Sequence, residues 1–314
     1  MDNGVPAPGT GPRIFRFDDI DAFRSSVRHL NVDFTPLVRK ISAEQIVLNL
    51  PGCDVNFTKS FPRIIDAQLG PNCTAVGFSI DDGVPIRFNG VERDRSVIVV
   101  GSGGAAYSAV ERTPRQYASL VFTPGIENRG WPQTGPNFAI YETSAAAQDW
   151  LRLLVVQVLQ LSWDFSEASE MAAASAAIRE SLLAAVDTAF ADVVAARWAS
   201  RANATPQFKI FRDVEAALSE YITQPVYSGD LAKQIGVSVR TMDDAVQRYR
   251  GMSLHRYLRL RRLWLVRKRL MAGTHSVKAC ALAFGFWHLS DFSRSYRTQF
   301  GESPSETVAR SRQA

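Results

Sequence analysis

Apolar residues in the last third of the chain recur at intervals of three and four. Val277, Cys280, Ala281 and Phe284 fall on one face of a short helix. Gly285 follows, a residue free to take the left-handed backbone that ends a helix, and Phe286 can pack back beneath the turn. Leu289, Phe292, Tyr296 and Phe300 then mark a second helix that starts near Leu289 or Ser290, with Ser290 its expected cap, and closes at Gly301. Its outward face carries Ser290, Asp291, Ser293, Arg294 and Arg297. Two short helices joined by a glycine turn form the arrangement that lays a helix in the major groove of DNA.

The same grammar occurs earlier. Thr205-Pro206 opens a helix with Phe208, Phe211, Val214, Leu218 and Tyr221 on one side. Ser228 is expected to cap GDLAKQI, which Gly236 ends, and Ser238 to cap VRTMDDAVQRY, with Met242, Ala245, Val246 and Tyr249 inward before Gly251. The expected caps Ser238 and Ser290 are 52 residues apart, which marks an imperfect internal duplication. Leu254 to Met271 joins the two units as one helix, apolar at Leu260, Leu263, Val266 and Leu270 and basic from Arg259 to Arg269. At ~1.5 Å per residue it spans roughly 27 Å, near the ~34 Å of one DNA turn.

The pattern before residue 206 is different. Residues 1–12 are rich in Pro and Gly and read as a loose tail, and Asp18 to His29 as a short helix. Short β-prone runs follow up to Ile140 (QIVLNL, TAVGFSI, SVIVV, YASLVF, NFAIYE), split by turn residues, and predict a small barrel or sandwich. Asn89-Gly90 is the best hairpin signal, and Gly101 to Gly104 reads as a plain hairpin because it lacks the spacing of a phosphate-binding loop. Trp131, Phe78, Phe88, Tyr107, Tyr117 and Phe122 are either core or the lining of an apolar cavity. Ser144 to Trp163 and Ser166 to about Ala199 are helical. Trp150, Leu153, Leu154, Val158 and Leu161 recur in the first, and Ile178, Leu182, Ala185, Ala189 and Val193 in the second. These stripes either pack on the strands or meet a second copy of the chain. Residues 202–206 read as a linker.

Charge sharpens this division. From residue 206 onward 18 Lys and Arg face 9 Asp and Glu, a surplus of +9, while the first 205 residues carry −4. That asymmetry suits a nucleic-acid module joined to one that does not touch the polyanion. The three cysteines, Cys53, Cys73 and Cys280, are odd in number and set in apolar sequence, as expected of buried thiols in a reducing, cytoplasmic compartment. The N-terminus has no export pattern, and no apolar run reaches membrane-spanning length. A metal-dependent enzyme on the strands is not expected, since His29 is the only histidine before residue 255 and no serine or cysteine has an evident base partner.

The last hundred residues resemble the DNA-binding domain of AraC/XylS-type transcription regulators, through LAKQIGVSVRTM, GMSLHRYLRLRRLWLVRKRLM and GFWHLSDFSRSYRTQFGESPSE. Phe61-Pro62-Arg63 and GVPIRFNGVERDRS resemble the family's companion domain more loosely. The resemblance implies a two-domain α+β chain: residues 1–205 as a cupin-like β-barrel with packed helices that binds an effector or dimerises, and 206–314 as an all-α double helix-turn-helix domain. It implies two recognition helices in successive major grooves. The candidate DNA-contacting residues are Ser238, Arg240, Asp243, Asp244 and Arg248 in the first repeat, and Ser276, His288, Ser290, Asp291, Ser293, Arg294 and Arg297 in the second. Asp243 and Asp244 depart from the family's polar or basic pattern: they either accept from cytosine or leave the first repeat a weak reader. His288 is expected as a turn residue or a phosphate neighbour rather than a metal ligand. The expected partners are double-stranded DNA, a small-molecule effector, a second copy of the chain, and RNA polymerase for an activator; no cofactor or membrane is expected. Two rival readings are an enzyme on the barrel with an accessory DNA-binding domain, and a ligand-independent architectural DNA binder.

Overall fold

The computed structural model describes residues 11–81, 85–93, 97–124, 126, 129–131, 137–164, 168–193, 206–220, 227–273 and 276–312. The tail 1–10, the turn residues Asp82 and Gly83, Ser166, the stretch 194–199, the linker 202–205 and Tyr221 lie outside them. The chain divides into two compact units, Met1–Phe34 with Ile41–Ala202, and Thr35–Lys40 with Asn203–Ala314.

In the first unit two sheets face each other. One runs in the order β1 (Arg13–Phe17), β3 (Ala43–Leu50), β4 (Cys53–Ser60), β11 (Arg115–Phe122), β6 (Thr74–Ser79), β9 (Val97–Ser102), β12 (Ala139–Glu142). The other runs β2 (Leu30–Pro36), β5 (Arg63–Leu69), β10 (Ala106–Glu111), β7 (Ile86–Phe88), β8 (Val91–Arg93). Side chains alternate across a strand, and β11 shows the result. Ala118, Leu120 and Phe122 join the core under the helices, whereas Arg115, Tyr117, Ser119 and Val121 face a cavity lined by both sheets. The short helix α1 is Ile20–Ser26, narrower than its pattern suggested because Asp19 caps it through the backbone N–H of Asp21 and Ala22.

Asn89-Gly90 forms the expected tight hairpin between β7 and β8, with φ of 47° and 75°. The Gly101–Gly104 run is not a hairpin: β9 and β10 belong to different sheets, so the run carries the chain from one to the other. Gly101 is required there, because a Cβ would lie 2.6 Å from the ring of Phe138.

Two helices, α2 (Ala145–Asp164) and α3 (Ala168–Ala191), cover the outer face of the first sheet. The α3 stripe lies inward as its spacing predicts. The α2 stripe is split: Val158 is buried and Leu154 packs on the core beside Leu151, Val155 and Leu159, while Trp150 is 49%, Leu153 49% and Leu161 57% exposed. Both faces of α2 are apolar, and the period alone did not tell which one packs.

The second unit is helical: α4 (Pro206–Glu220), α5 (Ser228–Ile235), α6 (Val239–Arg250), α7 (Leu254–Met271), α8 (Val277–Ala283), α9 (Leu289–Phe300) and α10 (Pro304–Ser311). Gly236, Gly251 and Gly301 end their helices in the left-handed conformation, as expected. Two caps fall elsewhere. Ser228 is the first helical residue behind Tyr227, and His288, not Ser290, precedes α9; neither Tyr227 nor His288 makes a side-chain capping bond. The 12-residue helices α6 and α9 therefore superpose at an offset of 50 residues rather than 52. That offset aligns Met242 with Phe292, Val246 with Tyr296, and Gly251 with Gly301.

Candidate nucleic-acid interface

Helix α9 is held by its apolar face. Phe292, Tyr296 and Phe300 are buried against Cys280, Ala281, Phe284, Leu263 and Val266. Gly285, at φ 77°, makes the turn from α8, and the N–H of Phe286 returns to the carbonyl of Ala281 at 3.0 Å. Phe286 then sits with its ring 5.1 Å from that of Phe292. The hydroxyl of Tyr296 bonds Thr307 Oγ1 at 2.8 Å, and burial pushes its phenol pKa up. Burial also raises the Cys280 thiol, which makes it a packing residue rather than a reactive one. Glu302 joins α7 to α10 by accepting from Arg267 at 2.7 Å and Arg310 at 2.9 Å. Ser303 and Glu306 close a capping box at the start of α10.

With that face fixed, the opposite one is presented to solvent. Ser290, Asp291, Ser293, Arg294 and Arg297 are all exposed along α9. Ser276 is a cap: its Oγ accepts from the N–H of Ala279 at 3.2 Å. His288 borders an open hollow of about 190 Å³ with His255, Arg259, Arg262, Trp287 and Asp291. Two arginines and two histidines meet one carboxylate there. The sequence reading did not gather these residues, because they come from the start of α7 and the turn before α9.

Helix α6 is built on the same plan with different chemistry. Met242, Ala245, Val246 and Tyr249 are fully buried, and so is Arg250. Arg250 lies 2.9 Å from Glu215 Oε2 and over the rings of Phe211 (4.8 Å) and Tyr257 (5.0 Å). Arg261 at 3.1 Å and the Tyr257 hydroxyl at 3.1 Å also donate to Glu215, so one carboxylate ties α4, α6 and α7 together. Sequence reasoning missed this centre; the available signal was Arg250 four residues after Val246, on the inward register.

Of the first-repeat candidates, Ser238, Arg240 and Asp244 are exposed. Ser238 Oγ caps α6 through the N–H of Thr241 at 3.0 Å. Asp243 is half-buried and accepts from the N–H of Leu254 at 2.7 Å, which holds the first turn of α7. Arg248 donates to Gln207 at 2.6 Å. At the offset of 50, Asp244 occupies the place of Arg294, and Asp243 that of Ser293. The two presented faces are thus opposite in charge at their matching central position.

Residues 231–310 match the model of a helix-turn-helix domain. The chain is 32% identical over 103 residues to the XylDLEGF operon transcriptional activator 3 of Pseudomonas putida, covering 32% of this chain and 31% of that one. The C-terminal unit belongs to the AraC/XylS family. The AraC/XylS unit is also 32% identical over 94 residues to a probable thc operon regulatory protein of Rhodococcus erythropolis (29% of this chain, 28% of that one). A crystal structure of a probable AraC family transcriptional regulator from Rhodopseudomonas palustris shares 35% identity over 33% of this chain and 97% of that one, with a TM-score of 0.31. The chain spans about a third of the length of the curated relatives it matches, and the residues that match the helix-turn-helix model, 231–310, include α6 and α9.

Proposed function

We propose that the chain is a sequence-specific DNA-binding transcription regulator, in which residues 206–314 read double-stranded DNA and residues 1–205 respond to a small-molecule effector. The observation that carries this reading is α9: an aromatic face locked into the core of an AraC/XylS unit, and an outward face of hydroxyls and arginines at groove-reading spacing. The relatives' names, an operon's activator and an operon's regulatory protein, support a role in transcription. The hollow beside His288 receives phosphate, Arg294 reads a base, and the first repeat contributes position more than sequence. The strands of the first unit pair in two separate sheets that do not close into one barrel, and we read them as an open form of the family's cupin-like barrel. The protein works in the cytoplasm, pairs with a second copy through α2, and meets RNA polymerase where it activates. No described helix is long and apolar enough to cross a membrane.

Duplex binding by the fragment 206–314 tests the reading. Phosphate contacts release counterions, so its affinity falls steeply and log-linearly with salt. A fragment that is folded by circular dichroism yet binds no duplex at low salt contradicts the proposal.

A further inference from the structure

Histidine is the side chain that ordinarily changes charge between pH 5 and 8, and this chain has only four. Two of them, His255 and His288, line the same open hollow of about 190 Å³ at the start of α9. Both are exposed. His255 comes from the first turn of α7 and His288 from the turn that Gly285 begins, so it is the fold that brings them together. The other charged walls are Arg259 and Arg262 from α7 and Asp291 from α9, while Phe286, Trp287 and Phe292 are uncharged. Tyr227, ahead of α5, also acts on Arg262.

The two arginines are anchored by the protein itself. Arg259 Nη2 donates to Ser295 Oγ on α9. Arg262 Nε donates to the carbonyl of Leu258 at 3.3 Å, with its guanidinium 5.6 Å from the centre of the Phe286 ring. With both histidines neutral, two arginines against Asp291 leave one positive charge, the complement of one backbone phosphate. Adding protons to the empty hollow crowds like charges, and burial together with the neighbouring Arg259 already holds the Arg262 guanidinium below its usual range. A nearby anion favours the charged form of a basic group. Phosphate in the hollow therefore draws protons onto the rings.

We propose that the protein takes up protons as it binds DNA, His255 and His288 closing on a backbone phosphate as charged donors, so that acidification from pH 8 towards 6 tightens binding. The proposal rests on the reading of α9 as a DNA-reading helix and adds His255 and a proton dependence to that site. A ring whose charged form is favoured in the complex contributes affinity that is complete at low pH and is lost as pH rises through its value in the complex. Carboxylates ordinarily titrate well below this window and lysine and arginine well above it, so histidine dominates the slope.

The test is fluorescence anisotropy of the full chain on a labelled duplex from its own selection, between about pH 5.5 and 8.5 at fixed ionic strength. Affinity falls roughly sixfold between about pH 6 and pH 8 for each ring that phosphate favours about tenfold in its charged form. His255→Gln and His288→Gln each flatten part of the profile, and the double variant flattens it. Both rings are exposed and neither caps a helix through its side chain, so the variants keep the fold, which circular dichroism checks. Each single variant decides for its own histidine should the double variant not fold. A flat wild-type profile, or a double variant with the wild-type slope, overturns the proposal and leaves the DNA-binding reading standing. No duplex binding at any pH overturns both.

Discussion

Arg294 and Asp244 occupy equivalent places in two helices of equal length, and their side chains make opposite demands on DNA. Arg294 is exposed on α9 and supports no apolar core, so Arg294→Ala should weaken specific binding by about 1–3 kcal/mol, measured by equilibrium titration, with an unchanged melting temperature. Asp244→Ala should leave specific binding unchanged or tighten it, because the carboxylate repels phosphate. The reverse pair of results would place recognition in the first repeat. Asp243 behaves differently from its neighbour. Its bond to the N–H of Leu254 holds the start of α7, so Asp243→Ala should lower stability by about 0.5–2 kcal/mol in denaturant titration while the preferred DNA sequence stays the same. From sequence these two aspartates looked alike, since nothing in their spacing shows that the chain returns beside one of them eleven residues later. Arg250 is the costlier residue: replacing it with Ala removes one of the two guanidinium partners of Glu215 and leaves a cavity beside Phe211 and Tyr257, and should destabilise the C-terminal unit by about 2–5 kcal/mol.

Among the elements, helix α2 is the one whose partner the period could not name. Its inner face packs on the first sheet, and Trp150, Leu153 and Leu161 leave a second apolar stripe exposed. If that stripe is the self-association surface, Trp150→Glu with Leu153→Glu should turn a dimer into a monomer in sedimentation at micromolar concentration; wild-type protein that sediments as a monomer contradicts the assignment. Elements ended by glycine and marked by one apolar face were legible: α6, α8 and α9, and the Asn89-Gly90 hairpin. The strands β1, β4, β5 and β10 were not. Polar residues interrupt their apolar runs, and those of β4, β5 and β10 include Asn56, Thr58, Arg63 and Glu111. Arg63 and Glu111 face each other across β5 and β10, so each balances the other. A charge within a short run reads from sequence as surface, and its cross-strand partner 48 residues away carries no local signal. The two shifted caps have a backbone cause: α5 and α9 begin one and two residues earlier than a serine rule places them, because the N–H of Leu231 reaches the carbonyl of Tyr227 at 3.0 Å and that of Phe292 the carbonyl of His288 at 2.9 Å.

For the whole molecule, the surplus of +9 after residue 206 and the −4 before it divide the labour of binding. Two arginines of α7 are occupied inside the fold, Arg261 with Glu215 and Arg267 with Glu302, so the basic surplus overstates the number of phosphate contacts and the salt dependence should reflect fewer of them. The most direct test of the account is the sequence profile of duplexes that the full chain selects from a random library. The account expects one well-defined half-pattern, lost with Arg294→Ala, beside a weaker half-pattern about one helical turn, ~10 base pairs, away. A flat profile, or a profile that Arg294→Ala leaves intact, contradicts it.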